Sequence, residues 1–184
     1  MLFTVDMAKA KNDIKYGLNN EQRAVKLIQQ KMCEILGKDV KVQKMKYGYS
    51  ILDYYVEGEN ILIELKSRRS LYSDYPTQMI GKNKVDYANR KIENENYKVY
   101  FFYLLKNDNG FDFDLYYKRH RHTDEYKLTR LGNYARGDKP CDIYLIKNSD
   151  LEKVGTIERK IVLIKSRPQY KKCRKIKKTT QIAA

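Results

Sequence analysis

At 184 residues the chain has the size of one domain with a real core, and 42% hydrophobic with 12% aromatic residues excludes a disordered polymer. Lys and Arg number 38 against 23 Asp and Glu, a net charge of +15. That excess favours a polyanionic partner such as nucleic acid, although an anionic membrane surface also fits it; no run of about 18 apolar residues exists to span a bilayer.

The first residues, MLFTVDMAKAKNDIKYG, carry charges where a secretory leader needs an apolar stretch, so an intracellular protein (cytoplasm or nucleus), not a secreted one, is expected. Residues 19–36, NNEQRAVKLIQQKMCEIL, read as a helix capped by Asn19 or Asn20 and stopped by Gly37. A short strand covers 40–46, and ILDYYVEGENILIELKSR (51–68) follows as a β-hairpin. The second helix is predicted from about Pro76 to Ile92, with proline in its first turn. Strands are expected at 98–105, 111–117 and 142–146, with KIVLIK (160–165) as a closing strand. Residues 118–140 between them read as a long basic loop. The order α-β-β-β-α-β, with strands appended, implies an α/β fold in which a mixed central sheet is flanked by helices. A single domain over residues 1–167 and a basic, flexible tail over 168–184 complete the expected organisation. Cys33, Cys141 and Cys173 are odd in number and form no CxxC, the pattern of reduced thiols.

The hairpin holds the main puzzle. With Gly58-Glu59 as a two-residue turn, Asp53 falls opposite Glu64 and Ile51 opposite Lys66. Ile51, Asp53, Tyr55, Leu62, Glu64 and Lys66 then share one face, while Leu52, Tyr54, Val56, Ile61, Ile63 and Leu65 make a wholly apolar one. Two carboxylates about 5 Å apart repel by roughly 3 kcal/mol at an effective dielectric near 20. A divalent cation would offset that, and Mg²⁺ prefers hard carboxylate oxygens. Lys66 could offset part of the repulsion, or hold a water near the metal. The competing reading is a surface salt-bridge cluster on a solvated strand face. In the first helix Val25, Ile28, Met32 and Ile35 form an apolar stripe, and Glu21 lies within about 40° of it at 100° per residue. Glu21 therefore points towards the sheet and joins Asp53, Glu64 and Lys66, unless it serves only the helix dipole.

Asp53, ten residues, then Glu64-Leu65-Lys66 on a hairpin preceded by a helix resembles the PD-(D/E)XK nuclease superfamily. Gly17-x-x-x-Glu21 is similar to the first motif of its resolvase-like and RecB-like branches, and the element order over residues 17–105 is similar to its restriction-endonuclease-like core. The resemblance implies Mg²⁺-dependent phosphodiester hydrolysis, with Mn²⁺ able to substitute. Glu21, Asp53, Glu64 and Lys66 would be catalytic, Asp53 and Glu64 metal ligands, and Leu65 a backbone carbonyl ligand. Leu52 stands where many members have proline. YPTQMIGKNK (75–84) is similar to a stretch found in viral and phage nucleases of this superfamily. Gln78 and Lys82, with Lys84, Arg68 and Arg69, would contact nucleic acid; Gln78 resembles a glutamine that positions the scissile strand. The alternative for these groups is a solvated helix start. The partner implied is nucleic acid, DNA in particular, and no membrane, with a homodimer among the admissible assemblies.

Other motifs carry less. His120-Arg121-His122 reads as part of the basic loop rather than a metal site, with no third ligand nearby. No GxxxxGK[ST] or GxGxxG occurs. A catalytically inactive nucleic-acid-binding protein of the same fold is the alternative function.

Overall fold

The computed structural model describes residues 7–46, 50–132 and 139–158, with side chains from residue 21 onward. Helices α1 (Met7–Leu36) and α2 (Lys82–Glu95) accompany strands β1 (Val42–Lys44), β2 (Tyr54–Val56), β3 (Ile61–Leu71), β4 (Thr77–Gly81), β5 (Lys98–Lys106), β6 (Phe113–His120), β7 (Lys127–Leu131), β8 (Cys141–Lys147) and β9 (Glu152–Ile157). The protein is mixed α/β. Six strands form one sheet in the order β1-β2-β3-β5-β6-β9, in which β3 and β5 run parallel and all other neighbours antiparallel. A second sheet, β4-β8-β7, takes strands that the sequence reading assigned to a helix start and to a loop.

Both faces of the large sheet are covered, because the first half of β3 (Ile61–Leu65, Glu64 apart) and β5 from Val99 to Leu105 are apolar on both sides. Alternate residues serve opposite faces. Ile61, Ile63 and Leu65 of β3 pack with Phe102 and Leu104 of β5 against Ala24, Ile28 and Met32 of α1. Leu62 packs with Phe101, Tyr103 and Leu105 against Val85 and Ala88 of α2. The acid-bearing face of the hairpin is thus not a solvated surface but the α2 side of the core. Leu52 also leaves its expected face and joins the α2 cluster. The cause is local: residues 51–53 form a bend instead of extending β2, although Asp53 keeps backbone hydrogen bonds to Ile63 and Met45.

The strand register agrees with the expectation, since Tyr54 pairs with Ile63 and Tyr55 with Leu62. The turn does not. Glu59 N–H donates to the Val56 carbonyl, so Glu57-Gly58 are its central residues, with Gly58 at φ 75° in the second. That conformation is open to glycine and strained for most side chains.

Helix α1 starts a dozen residues before the expected Asn19 or Asn20 cap. Lysine, alanine and methionine ahead of those asparagines favour helix, and an established helix propagates through residues that would also have capped it. Gly37, at φ 64°, ends it as expected. The buried stripe is Ala24, Ile28 and Met32; Ile35 remains exposed and Val25 is half-buried. Helix α2 starts at Lys82 rather than near Pro76, because Thr77–Gly81 pairs antiparallel with β8 and turns Gln78 and Ile80 inward. Asn96, at φ 54°, closes α2 with its N–H on the Lys91 carbonyl. Strand β9, Glu152–Ile157, has no counterpart in the sequence reading. Residues 160–165, the basic tail and Cys173 lie outside the described residues. Cys33 and Cys141 are free thiols.

His120 is a correction. It ends β6 with 2% exposure, stacked on Phe101 at 5.0 Å between centroids. Its ring nitrogens sit 2.9 Å from the Tyr126 hydroxyl and 2.9 Å from the Asn89 side-chain oxygen. Burial lowers its pKa to about 4, against a smaller opposing pull from Asp124. The unfolded chain binds a proton near pH 6.5 that the folded chain refuses until about pH 4. This group therefore removes stability as pH falls through that window, by about 3 kcal/mol in total. Urea midpoints of the wild type and of His120→Gln should converge between pH 7 and pH 4.5. Parallel pH slopes for the two would assign the acid response to other groups.

Candidate functional site

Glu64 lies in the middle of β3, between Ile63 and Leu65, and is fully buried at 0% exposure. Its parallel partner is Phe101, whose face it shares. Two cations reach it. Lys66, two residues on and therefore on the same side, makes an ion pair with Oε1; Lys84, from the first turn of α2, places Nζ 3.0 Å from Oε2 and also donates to the Ile51 carbonyl. Oε1 is matched in charge but lacks a well-aligned hydrogen bond. Desolvation raises the Glu64 carboxyl above its usual range, Lys66 and Lys84 pull it down, and Asp53 pushes it further up.

Asp53 is fixed in the bend that precedes β2. Its N–H donates to the Ile63 carbonyl at 3.0 Å, its carbonyl accepts from Met45 at 2.9 Å, and Oδ2 accepts the Leu65 N–H at 3.0 Å. A side-chain carboxylate thus takes a β3 donor on one side of Glu64, while its own backbone takes an acceptor on the other. Oδ1 has no such constraint from the backbone of β3.

Glu21 comes from the middle of α1, not its first turn, and is half-buried. Burial raises its carboxyl; Lys44, 3.7 Å away, lowers it, Asp53 raises it and Lys66 lowers it. Asp53 is the common neighbour: it acts on Glu21 and on Glu64 alike. Glu21, Asp53, Glu64 and Lys66 are therefore brought into one electrostatic cluster from α1, the 51–53 bend and β3.

The donor set is all hard oxygen, which suits Mg²⁺ or Mn²⁺. Among the described residues, however, no three acidic, histidine or cysteine side chains stand close enough together to form a metal shell as they are placed. Two lysines, rather than a third acid, contact Glu64. Both keep a route to water, with side chains 28% (Lys66) and 17% (Lys84) exposed.

The outer residues scatter. Lys84 joins the cluster itself. Lys82 is paired with Asp86 one turn on. Arg68 donates to the Met79 carbonyl at 3.4 Å, and Arg69 is exposed. Gln78 is in β4 rather than a helix, 4% exposed, with Nε2 on Asn148 Oδ1 at 3.1 Å. Asn148 in turn donates to the Tyr72 and Tyr75 carbonyls at 2.8 and 2.7 Å. Gln78 thus braces the bend before β4 instead of standing at a helix start. Lys44 and the role of Lys84 were not foreseen; Lys84 is one residue from buried Val85, the one signal that it could reach the core. Comparison with family models, curated proteins and solved structures returned no match.

Proposed function

We propose that the chain is a metal-dependent nuclease that hydrolyses phosphodiester bonds, with DNA as the substrate class and a restriction-endonuclease-like core over about residues 17–105. The observation that carries this reading is a fully buried glutamate in the centre of a sheet, next to a backbone-anchored aspartate and matched only by cations. Burying an acid in this way costs several kcal/mol before pairing. A wholly apolar β3 would have packed without that cost, so the placement favours a functional charge. The element order supports it as well: α1, β1, β2, β3, α2, β5 follow one another with only β4 inserted.

Asp53 and Glu64 would hold Mg²⁺ or Mn²⁺, with the Leu65 carbonyl as a further ligand. When bound, the cation would neutralise charge on the phosphate and make a water more acidic. Lys66, released from Glu64, is then free to donate to that water or to a phosphate oxygen. Glu21, whose carboxyl is held above its usual range by burial, is suited to receive the proton. Lys84 keeps the second Glu64 oxygen oriented.

One observation favours the second reading, an inactive nucleic-acid-binding protein: Lys66 and Lys84 already neutralise Glu64 without a metal. Incubation of the purified chain with linear, supercoiled, single-stranded and branched DNA, and with RNA, in Mn²⁺ against EDTA separates the two. Absence of cutting on every substrate would end the nuclease reading for this chain.

Metal binding has its own readout. At about 100 times its Kd, Mn²⁺ should stabilise the fold by about 2.7 kcal/mol, a rise in Tm of roughly 5–10 °C for a chain of this size. Asp53→Asn keeps an oxygen for the Leu65 N–H, so it should stay folded and lose the rise. A wild-type Tm that ignores millimolar Mn²⁺ would count against the centre.

A further inference from the structure

A cavity of about 370 Å³ opens beside the far end of β3. Met79 of β4 and Leu145 of β8, which are register partners, line it together with Leu131, Tyr75, Arg68 and Ser70. Three of these are large side chains left in water: Tyr75 is 61% exposed, Leu131 48% and Met79 37%. Scattered exposed hydrophobics are ordinary, but several around one concavity mark a binding surface.

The cavity and the acidic cluster lie along the same strand, β3, which supplies Arg68 and Ser70 to the one and Glu64 and Lys66 to the other. Arg68 follows Glu64 by four residues and Lys66 by two, about 13 Å from Glu64 at ~3.3 Å per residue. Tyr103, the ladder partner of Lys66, has no exposure; beyond burial, its phenol responds to Arg68 and to Glu64, so both lie near one ring. A nucleic acid strand covers that span in a few nucleotides.

We propose that this cavity receives an unpaired nucleobase of the strand whose phosphate lies at Glu64, which makes the substrate class DNA with a single-stranded or locally opened segment. The assignment rests on the nucleic-acid reading of the acidic cluster. A base presents an apolar face to Tyr75 and Leu131, a polar edge to the Ser70 hydroxyl, and its phosphate to Arg68. The net charge of +15 favours that occupant. An apolar protein side chain would match the lining but give the guanidinium no counter-charge. Bases stacked inside an intact duplex cannot enter.

The test is fluorescence anisotropy in EDTA, with a fully paired duplex and a duplex of equal length carrying a short single-stranded gap. Tyr75→Ala should weaken binding to the gapped DNA on the order of tenfold, the scale of one base–aromatic stack, and leave the paired duplex within about twofold. Tyr75→Phe should retain the wild-type preference. Equal losses on both DNAs, or no loss on either, would overturn the assignment. No loss combined with a changed elution volume for Tyr75→Ala would give the cavity to a second copy of the chain. Cleavage in Mn²⁺ is read separately. A chain that prefers gapped DNA through Tyr75 yet cuts nothing would remove the nuclease reading and keep the cavity. A chain that cuts but ignores Tyr75 would do the reverse.

Discussion

Glu64→Gln is expected to lower DNA cleavage by about a hundredfold to a thousandfold, while DNA binding in EDTA persists or tightens. The substitution keeps the shape of the side chain and removes its charge. On the nuclease reading that charge holds the metal, and single electrostatic groups in such sites contribute on the order of 10²–10³ in rate. The effect on folding should be far smaller. Breaking a fully buried ion pair costs about 3–5 kcal/mol, but Lys66 and Lys84 are only partly enclosed and can turn to water, so a loss nearer 1–2 kcal/mol is expected. Lys66→Met divides the remaining possibilities. It leaves Asp53 and Glu64 in place, so the Mn²⁺-induced rise in Tm should survive while cleavage is lost. A salt-bridge network would give the opposite result: Glu64→Gln and Lys66→Met both markedly less stable, and no response to metal in the wild type.

The cluster was legible because period-2 patterning is strong where strands are long and apolar. The pairing of Tyr54 with Ile63 and of Tyr55 with Leu62 is as expected, and that register is enforced by the apolar face of β3, whatever the turn does. Asp53 lies just beyond the ladder and reaches β3 through Ile63 and Leu65 on either side of Glu64. The turn itself was misplaced by one residue, since Gly58 serves equally well as first or second central residue. What patterning could not show is that the acid face would be covered. Helix α2 lies on it only because β4 pairs with β8, some 65 residues later in the chain. Helix-like spacing from Gly81 through Val85, Ala88 and Ile92 extends backward to Gln78 by arithmetic, but tertiary pairing took Thr77–Gly81 into a sheet.

His120 shows the same limit. Lys118, Arg119 and Arg121 around it read as a solvated run, yet β6 continues to His120 and turns the ring onto Phe101. An alternating strand can carry charges on one side and a buried histidine on the other. Lys118 itself reaches Asp124 at 3.5 Å, so part of the apparent basic excess is paired.

The second large effect is on binding. Affinity for duplex DNA should fall by about 10³–10⁵ between 50 and 200 mM salt if the chain neutralises 6–10 phosphates, because each contact releases condensed counterions. A net charge of +15 supplies enough cations for that footprint even after the ion pairs on α2 and around Asp124 are set aside. Residues 168–184 carry six Lys and Arg and no acid. Deleting them should reduce the slope of log K against log[salt] by about 0.9 for every phosphate they contact, and leave the Mn²⁺ shift in Tm unchanged. Lys82→Ala should alter the slope little, as its ammonium is already held by Asp86. A full-length chain that binds no DNA even at 20 mM salt would show nucleic acid to be the wrong partner. A chain that binds with a shallow slope would place the contacts on bases and apolar surface rather than on phosphates.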